Sequence, residues 1–221
     1  MNILIVNDDG IASESLLSLQ NTLQSFGTVF ACVPDGERSG SSHSTHKYDI
    51  VAENFSKSGR GENIYTHTGT ASDSVKFFRK FVTKEIDFVV SGVNGGFNLG
   101  RDIVYSGTVG AALEANMYGI RSIALSARQH GKNYWAVLPG LLKQLICDAD
   151  WKSAMCLNVN FPDQPDLSDA KIRFTSVAQT PKPAQGDNDY NLCRNQGFIT
   201  ITPLRLDLTD SESLKQFTNL L

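Results

Sequence analysis

The sequence predicts an α/β protein of three layers, α/β/α, in which helices cover both faces of a largely parallel, Rossmann-like sheet. Short apolar segments bounded by turn residues recur along the chain, as buried strands do. Segments with a helical spacing of apolar residues separate them, and this alternation is typical of parallel sheets. The length of 221 residues, with 41% hydrophobic and 19% charged residues, suits a single packed domain.

The N-terminal segment predicts a first βαβ unit. The apolar run Ile3–Val6 stops at Asn7-Asp8-Asp9-Gly10, which indicates a buried strand followed by a loop. Apolar residues then recur at spacings of three and four, as on one helix face: Ala12, Leu16, Leu19, Leu23 and Phe26. Gly27 suits the C-cap of this helix, and the apolar run Thr28–Pro34 predicts a second strand.

The middle of the chain continues the alternation. Residues 47–68 alternate weakly and predict one or two short strands. Thr70–Asp73 has the pattern of a capping box that begins a helix, and Ile86–Ser91 predicts a third strand. The inner face of that helix consists of Val75, Phe78 and Val82.

Two further helices and two further strands complete the predicted core. A helix of small residues over Val109–Ala115 is followed by Gly119, and Ser122–Ser126 reads as a fourth strand. The next helix has Pro139 in its first turn, where proline is tolerated, and Cys156–Pro162 is a fifth strand. The buried side of that helix is expected to include Leu142, Leu145 and Ile146.

The pattern changes after residue 162. The segment is richer in Pro, Asp, Asn and Gln, with a strand-like stretch at Lys171–Val177. Gly197–Pro203 alternates with period two, as expected of an antiparallel strand with one solvent-facing side, and Ser211–Leu221 suits a short helix. We therefore expect one domain over residues 1–221, in which residues from about 163 to 221 form a C-terminal β-hairpin elaboration that serves oligomerisation.

The composition argues against several classes of protein. The formal net charge of −3 provides no basic field for binding polynucleotides. The four cysteines are scattered without a CxxC pair, so neither a zinc ribbon nor a disulfide framework is indicated. No apolar run is long enough to span a membrane, and the first strand begins without a basic leader, so we expect a cytoplasmic protein.

Polar loops follow successive predicted strands. Asp8 and Asp9 follow the first strand, a Gly- and Ser-rich loop over Asp35–His46 follows the second, and Gly92–Gly100 follows the third. Because the carboxyl ends of parallel strands meet at one edge of a sheet, these loops are expected to form one site. The alternative for the two aspartates is that they only cap the next helix.

The oxygen-bearing side chains of these loops suit a hard divalent cation. Asp8 and Asp9 supply carboxylates, while Ser39 and Asn94 supply neutral oxygens. Such a set, with water in the remaining positions, is suited to one Mg²⁺ or Mn²⁺ ion.

A second group of residues suits an anion. Ser106, Gly107 and Thr108 precede the helix of small residues, where unpaired N–H groups and the helix dipole favour a phosphate. The alternative is that Thr108 is only the N-cap. A role of His43 and His46 in proton exchange is kept as a hypothesis, because their loop is expected to face the proposed site.

A metal beside an anion site suggests hydrolysis of a phosphomonoester, with Asp9 orienting or deprotonating the attacking water. Direct attack by an aspartate is less favoured. A phosphatase of the haloacid dehalogenase class would need a DxD pattern, and a receiver module would need an Asp at the end of the third strand, where the chain has Ser91-Gly92. A non-catalytic protein that binds nucleotides or phosphate is the remaining alternative.

Six segments, in order along the chain, together resemble the SurE family, survival protein E, whose members are metal-dependent 5'/3'-nucleotidases. The segments are Asn7-Asp-Asp-Gly10, Pro34-Asp35 with Arg38-Ser-Gly40, Ser91-Gly-Val-Asn94 with Asn98-Leu-Gly100, Tyr105-Ser-Gly-Thr-Val109, Asn158-Val-Asn-Phe-Pro162 and Ile201-Thr-Pro203.

The resemblance implies functional roles for the residues already singled out. It implies metal ligation by Asp8, Asp9, Ser39 and Asn94. It also implies dephosphorylation of nucleoside monophosphates, sometimes with activity on short polyphosphate, and homodimers or homotetramers joined through exchanged C-terminal segments. The implied phosphate contacts are Gly40, Ser41, Asn98, Ser106, Gly107 and Thr108.

This chain departs from the family pattern at several positions. His43, in the implied substrate-binding loop, stands where the family usually has Asn. Ala71 replaces a usual Pro, and Ser74 replaces a usual Cys. The region from Asp187 to Gly197 is compact relative to the family, which affects the expected substrate lid and oligomer contacts.

Overall fold

The computed structural model describes residues 1–47, 55–128, 133–151, 155–179 and 186–218. It contains nine strands within these ranges: β1 (Asn2–Val6), β2 (Thr28–Pro34), β3 (Ser56–Lys57), β4 (Ile64–His67), β5 (Phe88–Asn94), β6 (Arg121–Ala127), β7 (Cys156–Phe161), β8 (Ile172–Phe174) and β9 (Ile199–Leu204). The α-helices are α1 (Ser15–Leu23), α2 (Ala71–Phe81), α3 (Asp102–Tyr105), α4 (Gly107–Met117), α5 (Tyr134–Lys143) and α6 (Ser211–Thr218), and π-helical turns follow at Gln144–Asp148 and Asn191–Asn195.

The strands form one sheet in the order β3-β4-β2-β1-β5-β6-β7-β9-β8. The pairs from β4 to β7 are all parallel, as predicted. β1 lies between β2 and β5. The strands that follow β1 are first added on its β2 side and later on its β5 side, so the strand order switches at β1. Such a switch point opens a crevice at the carboxyl ends of the strands, where ligands bind in open α/β sheets.

The side chains of β1 show how the three layers form. Ile3 and Ile5 pack with α1 and α5 on one face of the sheet. Leu4 and Val6 point to the opposite face and pack with α2 and α4. All four side chains are buried, because a strand covered on both faces exposes neither set of alternating residues. The predicted three-layer α/β/α class is confirmed.

The start of α2 has the predicted capping box. The Thr70 hydroxyl oxygen accepts from the Asp73 amide at 3.2 Å, and the Asp73 carboxylate accepts from the Thr70 amide at 3.0 Å. The strand prediction for residues 47–68 is confirmed in part by β3 and β4, while residues 48–54 lie outside the described ranges.

Three local predictions were wrong. The C-cap of α1 is Gln24 rather than Gly27. Pro139 lies in the interior of α5, which begins at Tyr134, rather than in its first turn. The ring is exposed there, so it does not disturb the buried side of the helix. The prediction of one solvent-facing side for the last strand was also wrong, because β9 is inside the sheet and buries all its residues except Pro203.

The C-terminal segment does not form the expected β-hairpin between its own strands. β8 pairs with β9 in parallel, whereas a hairpin requires antiparallel neighbours. β9 instead extends the main sheet by antiparallel pairing with β7. Among the described residues of the chain, no helix has both the length and the hydrophobicity to cross a membrane.

Candidate active site

The turn after β1 positions the two adjacent aspartates. The Asn7 side chain closes this turn, since its Oδ1 accepts from the Gly10 amide at 3.0 Å and its Nδ2 donates to the Gly10 carbonyl at 3.2 Å. Gly10 has φ +83° and lies against the backbone of Gly36, where a Cβ would come within 2.6 Å. Only glycine fits this conformation and contact, so the turn tightly joins the loops after β1 and β2.

Asp8 is almost completely buried and is held by the start of α4. Its Oδ1 accepts from the Thr108 hydroxyl at 2.6 Å, and its Oδ2 accepts from the Thr108 amide at 3.2 Å. Hydrogen bonds to a carboxylate are strong, so they fix the orientation of Asp8. Both donors of Thr108 are thus engaged by Asp8.

The loop after β2 adds a third carboxylate, which sequence reasoning missed. The Arg38 amide donates to the Asp8 carbonyl at 2.7 Å, which fixes this loop beside the aspartates. The Ser39 hydroxyl donates to Glu37 Oε1 at 2.9 Å. Glu37 therefore shares the site with the predicted metal ligand Ser39.

The electrostatics of the site favour a positive ligand. Burial raises the pKa of Asp8. Burial, followed by the negative charges of Asp8 and Glu37, raises the pKa of Asp9 to about 6. Within the described ranges, no Lys, Arg or His side chain forms an ion pair with any of these three carboxylates. A bound cation would relieve both the desolvation and the repulsion.

The loop after β5 contributes amide side chains. The register of β5 against β6 shifts between Ser91 and Asn94, and such irregularities re-aim side chains at the edge of a sheet. Asn94 Nδ2 donates to the Gly96 carbonyl at 2.9 Å, so the nitrogen is engaged within the loop while the side-chain oxygen accepts no hydrogen bond within the described part of the protein.

Two asparagines of β7 hold the predicted phosphate residue Asn98. The Asn98 carbonyl accepts from Asn158 Nδ2 at 2.7 Å and from Asn160 Nδ2 at 3.1 Å. The Asn98 amide donates to Asn160 Oδ1 at 2.9 Å. The Asn158-Val-Asn-Phe-Pro162 segment thus supports the loop after β5.

Asp189 anchors the far end of the same loop. It is fully buried, and its Oδ2 accepts from the Gly100 amide at 2.9 Å. Its Oδ1 accepts from the amides of Ala178 and Tyr190 at 2.8 and 2.7 Å. Nothing in the local sequence distinguishes Asp189 from neighbouring polar residues, so sequence reasoning missed this role.

The loops enclose a cavity of about 470 Å³ at the sheet edge. Seven of the predicted site residues line it together: Asp8, Asp9, Ser39, Gly40, Asn94, Asn98 and Ser106. Its wall also includes Glu37, Asp102 and Tyr105.

Gly107 and Ser41 lie directly behind Asp8. A Cβ on Gly107 would come within 2.8 Å of both Asp8 Oδ2 and Ser41 Oγ, so the absence of a side chain at Gly107 allows these two residues to pack closely against the start of α4. Ser41 Oγ is buried and has no hydrogen-bond partner among the described residues. The N-cap of α4 is Ser106, whose hydroxyl accepts from the Val109 amide at 3.1 Å, rather than Thr108.

The cavity lining does not include the two histidines of the loop after β2. His43 Nε2 lies 2.7 Å from Glu114 Oε2 of α4, and His46 Nδ1 lies 2.7 Å from Asp73 Oδ2 of α2. These pairs attach the loop to the helices beneath it. His43 therefore has a carboxylate partner in Glu114.

Comparison with known proteins agrees with these features. A model of the family described as Survival protein SurE matches residues 3–183. The chain belongs to the SurE family.

Several SurE relatives match nearly the whole chain. A protein named 5'-nucleotidase SurE from Clostridium botulinum (strain ATCC 19397 / Type A) is 32% identical, with 98% of this chain and 97% of that protein covered. A protein of the same name from Geobacter sulfurreducens is 35% identical, with 97% and 91% covered. The crystal structure of SurE protein from Aquifex aeolicus is 30% identical and superposes with a TM-score of 0.86, covering 100% of this chain and 99% of that one.

The donor set of this SurE site fits a divalent cation. The carboxylates of Asp8 and Asp9 and the neutral oxygens of Ser39 and Asn94 line one cavity. Oxygen ligands of this kind suit Mg²⁺ or Mn²⁺, and two adjacent carboxylates supply the opposing charge. These four residues could therefore hold a metal, and Glu37 adds a further carboxylate to the same cavity.

Proposed function

We propose that this chain is a metal-dependent nucleotidase that hydrolyses nucleoside 5'-monophosphates, and also 3'-monophosphates, to nucleoside and phosphate. The observation that carries the proposal is that the carboxylates of Asp8 and Asp9 share one cavity with Asn94 and Ser106 at the switch point of the sheet. Relatives at 32% and 35% identity are named 5'-nucleotidase SurE, which supports the nucleotide as substrate. Short polyphosphate is a further proposed substrate.

Asp8, Asp9, Ser39 and Asn94 would hold one Mg²⁺ or Mn²⁺ ion. When bound, the ion supplies positive charge that polarises the phosphoryl oxygens and makes water more acidic. Thr108 fixes Asp8 by two hydrogen bonds, so the carboxylate is pre-oriented for its role.

The start of α4 would hold the phosphate. Ser106, the N-cap of this helix, lines the cavity together with Gly40 and Asn98, which are also implied phosphate contacts. The N-terminus of an eleven-residue helix adds a favourable dipole. Together these groups hold the oxygens that do not react.

Asp9 would act on the attacking water. It is less buried than Asp8 and accepts no hydrogen bond from the described protein groups, so it is available to accept a proton. The water oxygen forms a bond to phosphorus as the ester bond breaks, the water proton passes to Asp9, and the leaving nucleoside oxygen takes up a proton.

The proposal extends to the location, assembly and partners of the protein. We infer a cytoplasmic protein that assembles as a homodimer or homotetramer, without polynucleotide or membrane partners. A non-catalytic nucleotide-binding protein is the alternative, and turnover distinguishes it.

The decisive experiment measures phosphate release from a panel of 5'- and 3'-nucleoside monophosphates. Each is incubated with EDTA, Mg²⁺ or Mn²⁺, with wild type and with Asp9→Asn. We expect metal-dependent release that falls by at least about a hundredfold in the variant, while the circular dichroism spectrum is unchanged. Binding of nucleotide without release under any condition would overturn the proposal in favour of the alternative.

A further inference from the structure

A second cavity, of about 640 Å³, adjoins the first. Asp9, Glu37, Asn94 and Gly95 line both cavities, so the two open onto each other beside the reacting carboxylate. The volume is in the range of small-molecule sites in proteins. A phosphate in the first cavity would therefore have its ester group beside the second.

One wall of this second cavity is aromatic. Tyr134 and Trp135, at the start of α5, both line it, and their ring centroids lie 4.9 Å apart. Trp135 is half-buried and packs partly against the core, so one side of the indole is supported. Tyr134 and Asp9 line the same cavity, so this wall is near the carboxylate that acts on the water in the proposed reaction.

The rest of the lining is acidic and hydroxyl-bearing. Glu14, Asp9 and Glu37 contribute carboxylates, and the start of α1 contributes serine hydroxyls at positions 13, 15 and 18. None of the described residues that line this cavity is Lys or Arg. A neutral group with a flat aromatic face would suit a cavity with one aromatic wall and hydroxyl groups opposite.

We propose that this cavity binds the nucleoside part of the substrate and that Trp135 is the specificity-determining residue on which the base stacks. This inference rests on the proposed nucleotidase function. It predicts that a nucleoside monophosphate is preferred to a sugar phosphate without a base.

The test compares two substrates that differ only in the base. The ratio of kcat/KM for adenosine 5'-monophosphate to that for ribose 5-phosphate is measured for wild type, Trp135→Leu and Trp135→Phe. Trp135→Leu keeps apolar bulk but removes the stacking surface, so the ratio should fall about tenfold, mainly through KM for the nucleotide. Trp135→Phe retains a ring and should recover most of the ratio.

Ser18→Phe provides a second variant that does not alter the core. Ser18 is exposed on α1 and lines the same cavity, so a larger side chain there narrows the space opposite the aromatic wall. We expect the substrate ratio to fall in this variant as well. An equal ratio in wild type, Trp135→Leu and Ser18→Phe would overturn the inference while leaving the nucleotidase function intact.

Calorimetry with adenosine separates this inference from the proposed function. If wild type releases phosphate from neither substrate, the nucleotidase proposal fails, but adenosine binding is still measurable. Binding to wild type that weakens about tenfold in Trp135→Leu would support the nucleoside site. Equal affinity of the two proteins for adenosine, or no binding to wild type, would overturn it.

Discussion

Thr108 donates two hydrogen bonds to Asp8, one from its hydroxyl at 2.6 Å and one from its amide at 3.2 Å. The two residues lie 100 positions apart in the chain. Their contact joins the loop after β1 to the N-terminus of α4, so the proposed metal ligand and the proposed phosphate site are held in one rigid unit. Thr108 is thus a positioning residue for the carboxylate.

Thr108→Ala should therefore weaken the binding of the metal more than the binding of phosphate. The variant removes the 2.6 Å hydrogen bond, and we expect the metal concentration for half-maximal turnover to rise about tenfold, as for other outer partners of metal ligands. Thr108→Ser keeps the hydroxyl and should stay close to wild type. A normal metal requirement with a weakened inhibition by inorganic phosphate would instead assign Thr108 to the phosphate.

Asp9→Asn should stabilise the metal-free protein at neutral pH. The pKa of Asp9 is raised from 3.8 to about 6 in the folded state. The folded state therefore binds this proton more tightly than the unfolded state, and the resulting stability is lost as pH rises through about 6. The amide that replaces this carboxyl cannot ionise. Above about pH 6 the free energy of unfolding of Asp9→Asn should therefore exceed that of wild type by about 1 to 2 kcal/mol, a difference that includes a reduction for the partial exposure of Asp9.

Urea unfolding in EDTA at about pH 4, 6 and 7.5 measures this difference. Wild type and Asp9→Asn should converge at the lowest pH and separate at the highest. Asp169→Asn, at an exposed carboxylate, serves as the matched control. A stabilisation that is largest at low pH would show that the sign of the Asp9 effect is wrong.

Asp189→Asn should loosen the loop that carries Asn98. Asp189 accepts hydrogen bonds from three backbone amides, and an amide side chain would direct its NH₂ group at one or more of them. We expect a loss of about 2 kcal/mol in the free energy of unfolding, together with reduced turnover. Asp187→Asn, at an exposed position, should change stability by less than about 0.5 kcal/mol.

Hydrogen exchange of the Gly100 amide provides a direct readout of this change. Its protection should fall in Asp189→Asn and remain unchanged in Asp187→Asn. If stability fell while this amide kept its protection, the anchoring role would be refuted.

The pair of His43 and Glu114 should behave as a coupled unit. Glu114 is buried, so His43→Ala leaves its carboxylate without the partner 2.7 Å away. A double-mutant cycle with His43→Ala and Glu114→Ala should give a coupling of about 1 kcal/mol in urea unfolding. Additive effects of the two substitutions would mean that the contact contributes nothing to attaching the loop.

The sequence predicts the framework well where the signal is local. The buried apolar run of β1, the helical spacing of Leu16, Leu19 and Leu23 and the Thr70 capping box all depend on neighbouring residues. The structure confirms each of them. The direction of β8 depends instead on a partner strand distant in the chain. Its parallel pairing with β9, where a hairpin was expected, is therefore decided by tertiary packing.

The sequence by itself determined that Asp8, Asp9 and Asn94 follow strands of one parallel sheet, and geometry then requires them to meet at one edge. Tertiary structure alone decided which groups hold them. Thr108 donates hydrogen bonds to Asp8, and Asp189 accepts one from the loop after β5. These hydrogen bonds join residues about a hundred positions apart, so only the folded chain brings the partners together. The position of a strand end follows from the order of elements, whereas the partner of a side chain depends on how folded loops pack together.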